Sequence, residues 1–83
     1  MIHTDELAGR IIMLRRQKGL TQNTLAQRMG VTSQAVSKWE TGRALPDLSR
    51  IDELADVLGV AVTYLLWGDD RKSTNSANRD VIS

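Results

Sequence analysis

Between residues 21 and 42 the chain reads TQNTLAQRMGVTSQAVSKWETG, and this stretch limits the fold more than any other. Thr21 is a residue of N-cap type, and Leu25, Ala26 and Met29 follow at helical spacing. Gly30 stops that pattern after one short helix, Gln22 to Met29. Beyond Val31, Thr32 or Ser33 opens a second helix over about residues 33–41, with Val36 and Trp39 inward and Gly42 as its stop. Helices this short are marginal alone, so they must be held by packing. The small Ala26 lets them cross closely, and Gly30 takes the positive φ that a sharp reversal needs. Two brief helices joined by such a turn form a helix-turn-helix, whose second helix has the shape to enter a DNA major groove.

Three further helices are predicted around this pair. Before it, Thr4 is placed to cap a helix from about Asp5 to Lys18, with Asp5 and Glu6 at its positive end and Leu7, Ile11 and Leu14 on one stripe. Gly19 ends that helix and Leu20 turns inward. After the pair, residues 43–46 form a loop. Asp47 is placed to cap a helix over 48–58 whose inner face is Leu48, Ile51, Leu54, Ala55 and Leu58. Gly59 closes it, and a short fifth helix, about 62–67, is apolar nearly all round. The fold class is therefore all-α: a compact five-helix domain over residues 1–68. Residues 69–83 turn polar and lose helical periodicity, as expected of a flexible tail or of a linker in a longer protein.

The chain has 83 residues and no cysteine, so neither a disulfide nor a thiolate metal site staples this small domain. No apolar run approaches the roughly 20 residues of a membrane span, and MIHTDE lacks the layout of a secretory signal, so the cytoplasm is expected. The net charge of +1 hides a division. Residues 7–45 carry seven basic side chains against Glu40 alone, and residues 46–70 carry six acids against Arg50 alone. The basic half contains the helix-turn-helix, which suits a polyanionic partner.

Within the second helix of the pair, Gln34, Ser37, Lys38 and Thr41 fall at i, i+3, i+4 and i+7, with Ser33 beside them. Such a polar stripe is also what any solvated helix face carries. Here it follows the turn and lies in the basic half, so it is expected to meet bases. Glutamine pairs with adenine and lysine with guanine in the major groove. Gln22 and Asn23 stand where backbone N–H groups are free and the helix dipole is positive, a place that suits a phosphate. Thr32, Thr41 and Arg43, at the two ends of the second helix, are the remaining phosphate candidates. Glu40 is expected to pair with Arg15 in a partly buried bridge joining the first helix to the third.

Taken together, LRRQKGLTQNTLAQRMGVTSQAVSKWETGRALPDL and the later LADVLGVAVTYLLWGD resemble the Cro and phage-repressor (Xre-like) class of helix-turn-helix proteins, from about Leu7 to Gly68. The resemblance implies a five-helix repressor-like domain, a double-stranded DNA operator as partner, and a homodimer. It implies phosphate contact from Gln22, base contacts from Ser33, Gln34, Ser37 and Lys38, and the Arg15–Glu40 bridge. The chain departs from the class at Ala61, where relatives often carry a capping serine, and at Ser33, where some carry a longer side chain. Tyr64 and Trp67 on the fifth helix are candidates for the contact between copies, with core packing as their plain alternative.

Enzymatic chemistry is not expected. His3 is the only histidine and has no recognisable partner, and there is no thiol nucleophile, phosphate-binding glycine loop, metal cluster or cofactor motif. The competing class is an interaction module, an antitoxin or adaptor that uses this fold to hold a protein partner. A strong salt dependence of DNA binding separates the two.

Overall fold

The computed structural model describes residues 4–68 of the chain, which form five α-helices and, among those residues, no strand. They are α1 (Thr4–Gln17), α2 (Gln22–Met29), α3 (Ser33–Glu40), α4 (Leu48–Leu58) and α5 (Val62–Trp67). His3 and the expected tail at 69–83 lie outside the described residues.

The apolar stripes predicted from spacing converge on one core. Leu7, Ile11 and Leu14 of α1 meet Leu25, Ala26 and Met29 of α2 and Val36 and Trp39 of α3, all buried. Ile51, Leu54, Ala55 and Leu58 of α4 and Leu65 of α5 complete it, and Leu20 seals the turn after α1. Val31, in the turn of the pair, is half-buried against this cluster. The caps follow from local chemistry. The Thr21 hydroxyl accepts from the Thr24 N–H at 3.0 Å, and the Thr32 hydroxyl accepts from the Ala35 N–H at 3.1 Å. Thr32, rather than Ser33, is therefore the cap of α3.

Gly30 closes α2 at φ 68°, ψ 30°. Its N–H donates to Gln27 O and the Val31 N–H to Ala26 O, so two terminal carbonyls are satisfied as the chain reverses. The same pair of bonds recurs at Gly19 after α1, Gly42 after α3 and Gly59 after α4. Arginines finish other helix ends. Arg50 Nη1 donates to Met29 O at 3.2 Å, at the last residue of α2. Arg10 Nε and Nη2 donate to Leu65 O and Leu66 O, each at 2.7 Å, and so fasten the end of α5 to α1.

Four local expectations are corrected. Thr4 lies inside α1 rather than capping it. α3 ends at Glu40, one residue early, although the Thr41 N–H still donates to Ser37 O. Asp47 holds the N-cap position of α4 with extended backbone, but its carboxylate takes no backbone N–H. Its carbonyl oxygen instead receives the Arg50 and Ile51 N–H groups. Leu48, expected on the inner face, is 88% exposed. It stands one turn before Ile51 at the edge of an apolar hollow that no other described element covers. At Ala61 the backbone takes the cap position of α5 without a side-chain bond, as expected from the missing serine.

An ideal Cβ on Gly30 would meet no atom within 4 Å, so a side chain there costs only the left-handed backbone. Gly30→Ala is expected to lower stability by roughly 1–2 kcal/mol in urea denaturation, and Gly30→Val by more. An unchanged midpoint for the valine variant would contradict the turn's dependence on glycine.

Candidate nucleic-acid interface

The two faces of α3 separate completely. Val36, Trp39 and Glu40 are buried, while Gln34, Lys38 and Thr41 are exposed and Ser33 and Ser37 half-buried. The expected polar stripe thus points away from the core along the length of the helix. Lys38 makes no side-chain hydrogen bond to the described residues, and Gln34 has only a long 3.5 Å contact with the Ser33 hydroxyl. Their donors and acceptors are available to another molecule.

The phosphate candidates differ in how free they are. Asn23 and Arg43 are exposed and make no side-chain bond to the described residues. Thr32 accepts the Ala35 N–H, which leaves its own hydroxyl proton to donate outward. Thr41 is turned back on its helix, its hydroxyl lying 3.0 Å from Ser37 O and 3.3 Å from Lys38 O. Its single proton must leave those carbonyls before it can serve a phosphate. The Gln22 amide Nε2 donates to Glu40 Oε1 at 2.9 Å, which uses one of its two amide protons.

That last bond belongs to the network holding the interface together. Arg15 Nε donates to Glu40 Oε2 at 2.5 Å and Nη2 to Oε1 at 3.0 Å, while Nη1 donates to Leu20 O at 2.8 Å. The Arg15 and Glu40 side chains are 11% and 4% exposed, so this is a partly buried bidentate pair with the acid on its buried side. The hydrogen bonding that Arg15 donates to Glu40 raises the Arg15 pKa; burial works against that rise and the Coulomb attraction of Glu40 adds to it. The pair was foreseen because Glu40 is the lone acid of the basic half. The Gln22 amide and the Leu20 carbonyl were not foreseen, since neither residue type signals a charge partner in a sequence.

Of the seven bases in residues 7–45, the fold therefore uses Arg10 and Arg15 internally. Arg16, Lys18, Arg28, Lys38 and Arg43 remain exposed. Among the described residues no group of three or more His, Cys, Asp or Glu side chains is placed to hold a metal. None of the described helices is long and apolar enough to cross a membrane.

A helix-turn-helix family profile matches residues 11–65. The chain belongs to this family. Within the helix-turn-helix family it is 39% identical over 59 residues to the SPbeta prophage-derived uncharacterized HTH-type transcriptional regulator YonR of Bacillus subtilis. That match covers 71% of the chain and 55% of YonR, so the chain spans about half the length of this relative. The P22 c2 repressor, solved in complex with synthetic operator 9T, superposes with a TM-score of 0.73 at 30% identity, covering 76% of this chain and 96% of that one. A further likeness, TM-score 0.70 at 26% identity, is to hydroxypropylphosphonic acid epoxidase from S. wedmorenis, covering 76% of this chain but 34% of the enzyme. The five-helix phage-repressor architecture expected from the sequence is thereby shown for this helix-turn-helix chain.

Removing Glu40 leaves the partly buried Arg15 charge without its acid. Glu40→Ala is expected to cost about 3–5 kcal/mol in urea or thermal denaturation, and the Arg15→Met/Glu40→Leu double variant to recover most of it. A double variant no more stable than the single one would contradict the assignment of the cost to an unpaired charge.

Proposed function

We propose that this helix-turn-helix chain binds double-stranded DNA sequence-specifically and regulates transcription as a repressor, with α3 in the major groove of an operator. One observation carries the reading: α3 presents an uncommitted polar stripe outward while its opposite face is fixed in the core. Gln34 and Lys38 are the base readers at its centre, with adenine and guanine edges as their natural partners, and Ser33 and Ser37 lie beside them. The start of α2, with Gln22 and Asn23, and the ends of α3, with Thr32, Thr41 and Arg43, take the flanking phosphates. The likeness to a repressor solved on its operator supports this geometry. The epoxidase likeness spans about a third of that enzyme, so it supports the shared fold rather than a shared reaction. A DNA partner makes the cytoplasm the place of action.

One module with an eight-residue recognition helix reads few base pairs. We therefore propose a homodimer whose two α3 helices meet half-sites about 34 Å apart. Tyr64 and Trp67 of α5, both half-buried, are the contact candidates first suggested by the sequence.

Lys38→Ala or Gln34→Ala is expected to cost roughly 1–3 kcal/mol at a matched site and to relax base preference there. Equal loss on every sequence would demote that residue to a phosphate contact. Arg43→Ala is expected to weaken all sequences alike and to reduce the slope of log K against log salt by about 1. Affinity for mixed-sequence duplexes that ignores salt would overturn DNA as the partner.

A further inference from the structure

The outer side of α1 is covered by no other described element. Leu7, Ile11 and Leu14 turn the inner side into the core, and Glu6, Gly9, Met13 and Arg16 lie opposite them, all exposed. Successive spacings of three, four and three residues put these four on one straight seam, the pattern by which a helix meets a second helix.

Two residues of the seam are not explained by packing within the chain. Glycine is the least favourable residue in a helix interior after proline, yet an ideal Cβ on Gly9 would meet no atom within 4 Å. Nothing in the described fold calls for a glycine there. Met13, one turn on, is 40% exposed, with Ile12 half-buried beside it. A flat position next to a projecting methionine is a notch beside a knob.

We infer that α1 is a self-association helix: its outer seam pairs antiparallel with the same seam of a second copy, Met13 of each copy lying over Gly9 of the other. Gly9 lets the two helix axes approach closely, since the side chains at a contact set the separation. Charge selects this occupant and this direction. α1 is acidic in its first turn, at Asp5 and Glu6, and basic in its last, at Arg15 and Arg16. Arg15 is taken by Glu40, whereas Glu6 and Arg16 make no side-chain hydrogen bond or ion pair with the described residues. Once Gly9 faces Met13 under a two-fold axis, Glu6 of each copy stands opposite Arg16 of the other. The register that seats the knob in the notch therefore also matches the charges, twice per pair. A parallel pairing would set Glu6 on Glu6 and Arg16 on Arg16. Two 14-residue helices meeting along one seam fall short of the roughly 800 Å² per partner of a standard stable interface. The complex is thus a weak one, formed at high concentration or where copies are held close. The seam shares no residue with the α3 stripe or with Tyr64 and Trp67, so the inference goes beyond the DNA reading and does not rest on it.

The chain has no cysteine, so Gln17→Cys offers a single attachment point for a spin label at the exposed end of α1. Full-length chain carrying the label is mixed at about 0.5 mM with nitrogen-15 chain, and the broadening of amide signals between copies is read. Broadening is expected to be strongest at Asp5, Glu6 and Gly9 and to fall toward Gln17. Gly9→Gln in both copies is expected to raise the melting temperature and yet remove the broadening, because it favours the helix and fills the notch. Glu6→Arg in both copies is expected to cut the broadening about tenfold, with two attractive pairs turned repulsive. Adding Arg16→Glu is expected to restore it. Adding Arg28→Glu instead, which restores the net charge but not the pair, is expected to leave it weak. Circular dichroism verifies that each variant is folded. Absent broadening overturns the inference, as does broadening strongest at Gln17 or on α4 or α5, broadening that persists in Gly9→Gln, or rescue by both second changes or by neither.

Discussion

The Arg15–Glu40 bridge is the constraint on which the rest of the interface depends. Glu40 is the last residue of α3, where the helix dipole is negative and a carboxylate is disfavoured. It is also buried. Only a charge brought to it by the fold makes that position tolerable, and Arg15 of α1 supplies it through two nitrogens. The third arm of the guanidinium holds the Leu20 carbonyl, and Glu40 holds the Gln22 amide. One ion pair thus fixes α1, the turn before α2, the start of α2 and the end of α3. The distance between the proposed phosphate site at the start of α2 and the outward stripe of α3 is set by this network and by the packing of the turn. Pairs like this add little net stability against an apolar replacement; what they constrain here is geometry.

Net charge conceals how the bases are divided. Arg10 and Arg50 satisfy carbonyls at helix ends, Arg15 neutralises a buried acid, and Lys38 and Arg43 project without an internal partner. The first group positions helices and the second is available to a partner. The apolar surface is divided in a similar way. Most of it converges on one core, while Leu45 and Leu48 stay exposed beside the start of α4 and Met13 on α1.

Much of this architecture was legible in the residues. Apolar spacing located all five helices, and Gly19, Gly30, Gly42 and Gly59 marked four of their ends because each needs a positive φ. A lone acid among bases identified the Arg15–Glu40 pair. What escaped shares a physical origin. Periodicity says which side of a helix a residue faces, not whether another element covers it, so Leu48 was assigned to a core that stops one turn short of it. Asp47 was read as a side-chain cap from its residue type, whereas its backbone alone does the work. Gln22 was assigned to phosphate from its position on α2; its bond to Glu40, eighteen residues on, depends on packing that no local pattern encodes. The Arg10 clamp on α5, across 55 residues, is invisible for the same reason.

Amide and side-chain NMR spectra of the chain, recorded while adding a duplex selected for binding from a random pool, test the central claim most directly. If the outward side of α3 is the reading surface, Ser33, Gln34, Ser37 and Lys38 will shift most. The amides of Gln22 and Asn23 will follow, and the acidic side of α4, at Asp52 and Asp56, will stay unchanged. Shifts concentrated on α4, with α3 silent, would contradict it.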